Sequence, residues 1–143
     1  MIDRFQDLLS QLGKVFEMPL RPDRHNASTI EIGPIRVQMQ LDPTQEKLVL
    51  FAKIIEIPPG KFRENILHEC LKANGLSSPR PGIFGYVAKT NHLALYQRYP
   101  LTLLNGESLA GLFGAFYELA LAWHNAIQQG RSAPFPLEKP KRP

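Results

Sequence analysis

Residues 35–57 read IRVQMQLDPTQEKLVLFAKIIEI, and this stretch decides what kind of fold the chain can have. At its start Ile35, Val37, Met39 and Leu41 alternate with Arg36, Gln38, Gln40 and Asp42. A period of two gives a strand one apolar and one wet face. Asp42-Pro43-Thr44-Gln45-Glu46 then turns the chain. From Lys47 to Ile57 nearly every position is apolar: Leu48, Leu50, Ala52 and Ile54 point one way, and Val49, Phe51 and Ile55 the other. Such a strand is either sandwiched between layers or shows an apolar surface to a partner.

Working outward, Thr29 to Ile32 is a short β-branched run joined to the second strand by a tight Gly33-Pro34 turn. Before it, Ile2, Phe5, Leu8, Leu9, Leu12, Val15 and Phe16 recur at the spacing of one helix face over residues 3–16. Asp3 and Asp7 suit the start of that helix, and Pro19 and Pro22 stop it. Downstream, Pro58-Pro59-Gly60 breaks the sheet and a second helix begins near Lys61, with Phe62, Ile66, Leu67, Cys70, Leu71 and Ala73 on one side. Asn74-Gly75 is expected to supply a left-handed stop. Ser77 to Gly82 is a loop, and Ile83–Lys89 and His92–Tyr99 form a hairpin about Thr90-Asn91. The last helix starts at an Asn105 N-cap, runs to about Gln129, and carries Leu109, Leu112, Phe113, Phe116, Ala120, Trp123 and Ile127 as its stripe. Gly111 and Gly114 thin it, as if to admit another backbone. The order α-β-β-β-α-β-β-α implies an α+β single domain over residues 1–130, a twisted antiparallel five-stranded sheet with three helices.

Composition agrees with that reading. The chain has 143 residues, 43% hydrophobic and 21% charged, the profile of one soluble domain. One cysteine excludes an internal disulfide and any multi-cysteine zinc site. No stretch has the run of apolar residues a membrane span needs, and Met1-Ile2-Asp3-Arg4 carries charge too early for a secretory signal. A cytoplasmic location is expected. The net charge is +4, of which +3 sits in residues 131–143, where Arg131, Lys139, Lys141 and Arg142 outweigh Glu138. These residues read as a basic, Pro-rich disordered tail.

No catalytic constellation emerges, and the chain is expected not to be an enzyme. His25, His68, His92 and His124 are far apart and show no metal-ligand spacing, so neither metal nor cofactor is expected. Cys70 lies two residues from His68, which on a helix points the two side chains apart. No phosphate-cradling glycine loop is present. What stands out is surplus apolar surface: the two-sided third strand, and a hairpin rich in Phe84, Tyr86, Leu93, Leu95, Tyr96 and Tyr99.

Taken in order, Ile32-Gly33-Pro34-Ile35-Arg36-Val37, the long strand Leu48 to Ile57, Pro58-Pro59, Leu71-Lys72-Ala73-Asn74-Gly75, Gly82-Ile83-Phe84-Gly85-Tyr86 and Leu93 to Leu101 resemble the class I type III secretion chaperones of the Tir-chaperone family across residues 2–130. The resemblance implies a dimeric chaperone that holds the N-terminal segment of a secreted effector. It places a two-fold interface on the second helix and fourth strand: Phe62, Ile66, Leu67, Cys70 and Leu71 with Ile83, Phe84 and Tyr86. It places effector contacts around the first helix and strands: Phe5, Leu9, Leu12, Ile30, Ile32, Ile35 and Val37. The partner could be a second copy or another chaperone subunit. The alternative reading is a small basic nucleic-acid-binding or transcription-regulatory protein that uses the tail with Arg36, Arg80 and Arg98.

Overall fold

A computed structural model describes residues 4–44, 46–75 and 80–134. Ile2, Asp3, Gln45, the loop residues 76–79 and tail residues 135–143, on which some of the expectations rest, lie outside the described residues. The elements run α1 (Arg4–Phe16), β1 (Ala27–Ile32), β2 (Ile35–Leu41), β3 (Lys47–Glu56), α2 (Lys61–Asn74), β4 (Ile83–Val87), β5 (His92–Pro100), a short 3-10 turn (Leu101–Leu103) and α3 (Gly106–Gln128). Element types and order are those the periodicity implies. The strands form one antiparallel sheet in the order β1-β2-β3-β5-β4. The β4–β5 hairpin therefore docks on β3 through its second strand, leaving β1 and β4 as the free edges.

One sheet face is the core face. Ile35, Val37, Met39 and Leu41 of β2 and Leu48, Leu50, Ala52 and Ile54 of β3 are buried there with Leu93 and Leu95 of β5. Helix α3 packs on β2 and β3, and α1 packs on α3. Phe113, Phe116, Ala120 and Trp123 fill the layer between helix and sheet, so the stripe read from the sequence is the buried one except at Leu112, which is half-buried. Burying such large apolar side chains contributes roughly 1.5–3 kcal/mol each.

Two polar clamps set how α1 meets α3. The Arg4 guanidinium donates to the Leu101 and Leu104 carbonyl oxygens, each at 3.1 Å. The Gly106 N–H donates to Gln11 Oε1 at 2.7 Å, and a Cβ on Gly106 would lie 2.4 Å from Gln11 Cβ. Close backbone approach thus occurs at Gly106. Gly111 and Gly114, expected to allow it, have no neighbour within 4 Å of a built Cβ. Asn105 caps α3 as expected, its side chain accepting from Ser108 N–H while Ser108 Oγ accepts from Asn105 N–H.

Two further local expectations are corrected. Gly75 has φ −85°, not a left-handed value, because its N–H still bonds the Leu71 and Lys72 carbonyls and continues the helical turn. Ile55 does not point away from the core. The β3–β5 register shifts between Lys53 and Ile55, which places Ile55 opposite buried Leu93 and packs it against the core cluster. At that bulge the His124 Nδ1–H donates to the Ile54 carbonyl oxygen at 2.8 Å, tying α3 to the strand's irregular point.

Candidate functional site

Helix α2 lies beside the free edge of β4, held there by a side chain that imitates a strand. The Asn74 amide donates through Nδ2 to the Phe84 carbonyl oxygen at 3.0 Å and accepts the Phe84 N–H on Oδ1 at 2.9 Å. Ile66 and Cys70 turn inward into the core, and Phe84 packs against Trp123 with ring centroids 4.5 Å apart and the planes tilted by 52°. Arg63 fixes the start of the helix by donating to the Ile57 carbonyl oxygen at 2.7 Å, its guanidinium 5.5 Å from the Tyr86 ring centroid. The Tyr86 hydroxyl is taken up by Asn91 Oδ1 at 2.6 Å.

Between α2 and β4 these contacts leave an apolar groove of about 260 Å³, lined by Leu67, Cys70, Leu71, Asn74, Phe84, Gly85, Tyr86 and Leu93. Its wall opens at Gly85, where a Cβ would meet nothing within 4 Å. At its rim Leu71 is 71% exposed, an unusual position for a leucine on a helix whose other apolar residues are partly or fully covered. The Cys70 thiol is pushed up to about 12, first by burial and then by the neighbouring Glu69 carboxylate. It is a neutral, apolar part of the wall and not a nucleophile.

Of the residues expected at an interface, Leu67, Cys70, Leu71, Phe84 and Tyr86 come together in this groove. Ile66 lies behind it in the core, Phe62 packs half-buried against the core, and Ile83 pairs with Tyr96 on the other sheet face. The residues expected at the effector surface fare differently. Phe5, Leu9, Leu12, Ile30, Ile35 and Val37 are all at most 2% exposed in the single chain, where they hold α1, the sheet and α3 together. Ile32, at 36%, is the member of that set with surface to offer. Apolar period marks a face that must be covered, and here the chain's own layers cover it.

The sequence reading marked the second side of β3 as surplus apolar surface but assigned no site to the sheet face turned away from α1 and α3. Val49, Phe51, Ile83 and Tyr96 stand there half-exposed and outside the packed core. The signal was the two-sided pattern of β3. Among the described residues no group of His, Cys, Asp and Glu could hold a metal ion, and no helix is long and apolar enough to cross a membrane.

Comparison with known proteins gives one family match, to the model described as the Tir chaperone protein (CesT) family, over residues 7–124. No curated protein sequence matches the chain. Among solved structures, the fold resembles one in the HopA1–SchA chaperone–effector complex, with TM-score 0.64 and 21% identity, over 88% of this chain and 100% of that one. It also resembles one in the ExoT–SpcS complex from Pseudomonas aeruginosa, with TM-score 0.63 and 20% identity, over 84% and 97% of the two chains. The Yersinia pestis type III secretion chaperone SycH, solved with a stable fragment of YscM2, gives TM-score 0.68 and 15% identity over 82% of this chain and 97% of the matched chain.

Proposed function

The chain belongs to the Tir chaperone protein (CesT) family, and from that membership we propose that it is a cytoplasmic chaperone of a type III secretion system, binding the N-terminal segment of one or more secreted effectors and keeping them soluble and export-ready. Residues 1–130 form the chaperone unit and 131–143 a basic extension. The observation that carries the reading is the open apolar groove between α2 and β4, in a chain whose matched segment spans both elements. An exposed Leu71 beside buried Phe84 and half-buried Tyr86 suits a two-fold interface, where each copy's α2 covers the other's groove. Holding a client this way needs no nucleotide, metal or catalytic group, because binding alone withdraws apolar client segments from water.

The nucleic-acid reading gains no support from the comparisons. Of its three arginines, Arg36 pairs with Glu31 and Arg80 donates to the Asn74 carbonyl. That leaves Arg98 standing apart on the outer sheet face.

The test is co-expression of the full chain with secreted proteins of the same bacterium. Capture of at least one in a soluble complex is the expected result, and Ile32→Asp should weaken it while leaving fold and mass unchanged. Capture of none overturns the reading.

A further inference from the structure

The outer sheet face has a chemistry of its own. The strand register sets Phe51 beside Tyr96 and Tyr96 beside Ile83, with Val49 one row along next to Arg98. An apolar row therefore crosses β3, β5 and β4 on a face against which neither α1 nor α3 packs. Its borders are cationic. Lys53 follows Phe51 by two residues on the same face and Arg98 flanks Val49. Arg36, further out on β2, is paired with Glu31. Among the described residues neither Lys53 nor Arg98 has an ion-pair partner. Among the described strand residues the other carboxylate on this face is Glu56, at its far end opposite His92.

Resting on the chaperone reading above, we propose that this row receives an acidic, apolar segment of the client, whose aliphatic or aromatic side chains sit on Phe51, Tyr96 and Ile83 while its carboxylates reach Lys53 and Arg98. The apolar row supplies affinity by burial, and the cations select sign: a segment of the same apolar pattern bearing lysines would place like charges together. Phosphate-rich polymers need cations in series along one track, whereas here Lys47, Arg98 and Lys53 stand around an aliphatic and aromatic strip.

Two synthetic peptides of equal length and identical Leu/Phe pattern, one interspersed with Asp and Glu and one with Lys, are titrated into the full chain by fluorescence anisotropy. The acidic peptide should bind about tenfold or more tightly than the basic one. Phe51→Ser should weaken it by a similar factor, and the double variant Lys53→Glu/Arg98→Glu should invert the preference. All three positions are at the surface, and unchanged circular dichroism melts confirm that the variants fold. Equal binding of both peptides, no binding of the acidic one, or indifference to both variants overturns the proposal. So does a variant-sensitive interaction with oligothymidine or phosphatidylserine vesicles in place of the peptide, or a fall in native mass on Phe51→Ser, which would make the face a contact between copies. The co-expression experiment separates the two levels. A client captured equally by Phe51→Ser and wild type removes this surface alone, whereas no client at all removes the chaperone reading.

Discussion

The end of α1 shows two residues solving one geometric problem, only one of them well. The Met18 N–H reaches back to the Gly13 carbonyl oxygen at 2.9 Å, a closure that needs a left-handed residue just before it. Glu17 fills that position at φ 55°. A side chain there costs roughly 1 kcal/mol that glycine avoids, so Glu17→Gly should raise stability by about that amount in urea unfolding. Gly13 is the opposite case, since a Cβ would lie 2.5 Å from the Met18 carbonyl oxygen, backbone that cannot step aside. Gly13→Ala should destabilise by about 2 kcal/mol or more. Cys70 gives a pH prediction. Its thiol rises from 9.0 to about 12 in the folded chain, so the unfolded chain releases the proton first. The stabilisation is whole below the lower value and is lost as pH rises through that window. Native Cys70 should accordingly resist iodoacetamide at neutral and mildly alkaline pH, by mass spectrometry, and react readily once urea opens the chain.

At the scale of elements, the α2–β4 pairing depends on Asn74. Asn74→Ala leaves both polar groups of Phe84 without their partner at a partly buried edge, a loss of about 1–3 kcal/mol. Trp123, the single tryptophan, packs on Phe84 and should report the loosening as a red-shifted emission. Elements are also where the sequence was most and least readable. The alternation in β2 and the two-sided run in β3 are consequences of strand geometry, so both strands were legible. The bulge at Lys53–Ile55 was not, because it arises from how β5 meets β3, two strands separated by a helix and a hairpin partner. The groove's members Leu67, Leu71 and Phe84 were reached through the family resemblance, because apolar period alone does not say that the second helix meets the fourth strand. The burial of Phe5, Leu9, Leu12, Ile30, Ile35 and Val37 was not legible, because period tells which side chains share a face and never what lies against it.

For the molecule as a whole, the proposed two-fold interface makes the mass the decisive quantity. Light scattering should return twice the 16.2 kDa of one chain, unchanged between low and high salt, as association through apolar burial requires. Leu71→Asp puts a charge at the groove's rim, where Leu71 is exposed in the single chain, so the fold should survive while the mass halves. A mass that stays doubled would move the interface elsewhere on the surface.

The two free edges of the sheet are each fastened at one point by a side chain. Asn74 occupies Phe84 on β4, and on β1 the Asp23 carboxylate accepts the Ala27 N–H while the Asp23 N–H donates to the Ala27 carbonyl oxygen. Strand alternation leaves Thr29 and Glu31 as the β1 residues whose backbone groups face outward beyond that clasp. A polypeptide laid along either edge finds only a few free rungs before the ladder is closed. Backbone pairing can then set the direction of an arriving chain but not hold it, and the grip has to come from side chains. The same shortness protects the protein itself, because a sheet clasped at both ends is a poor seed for the end-to-end growth that turns free strands into fibrils.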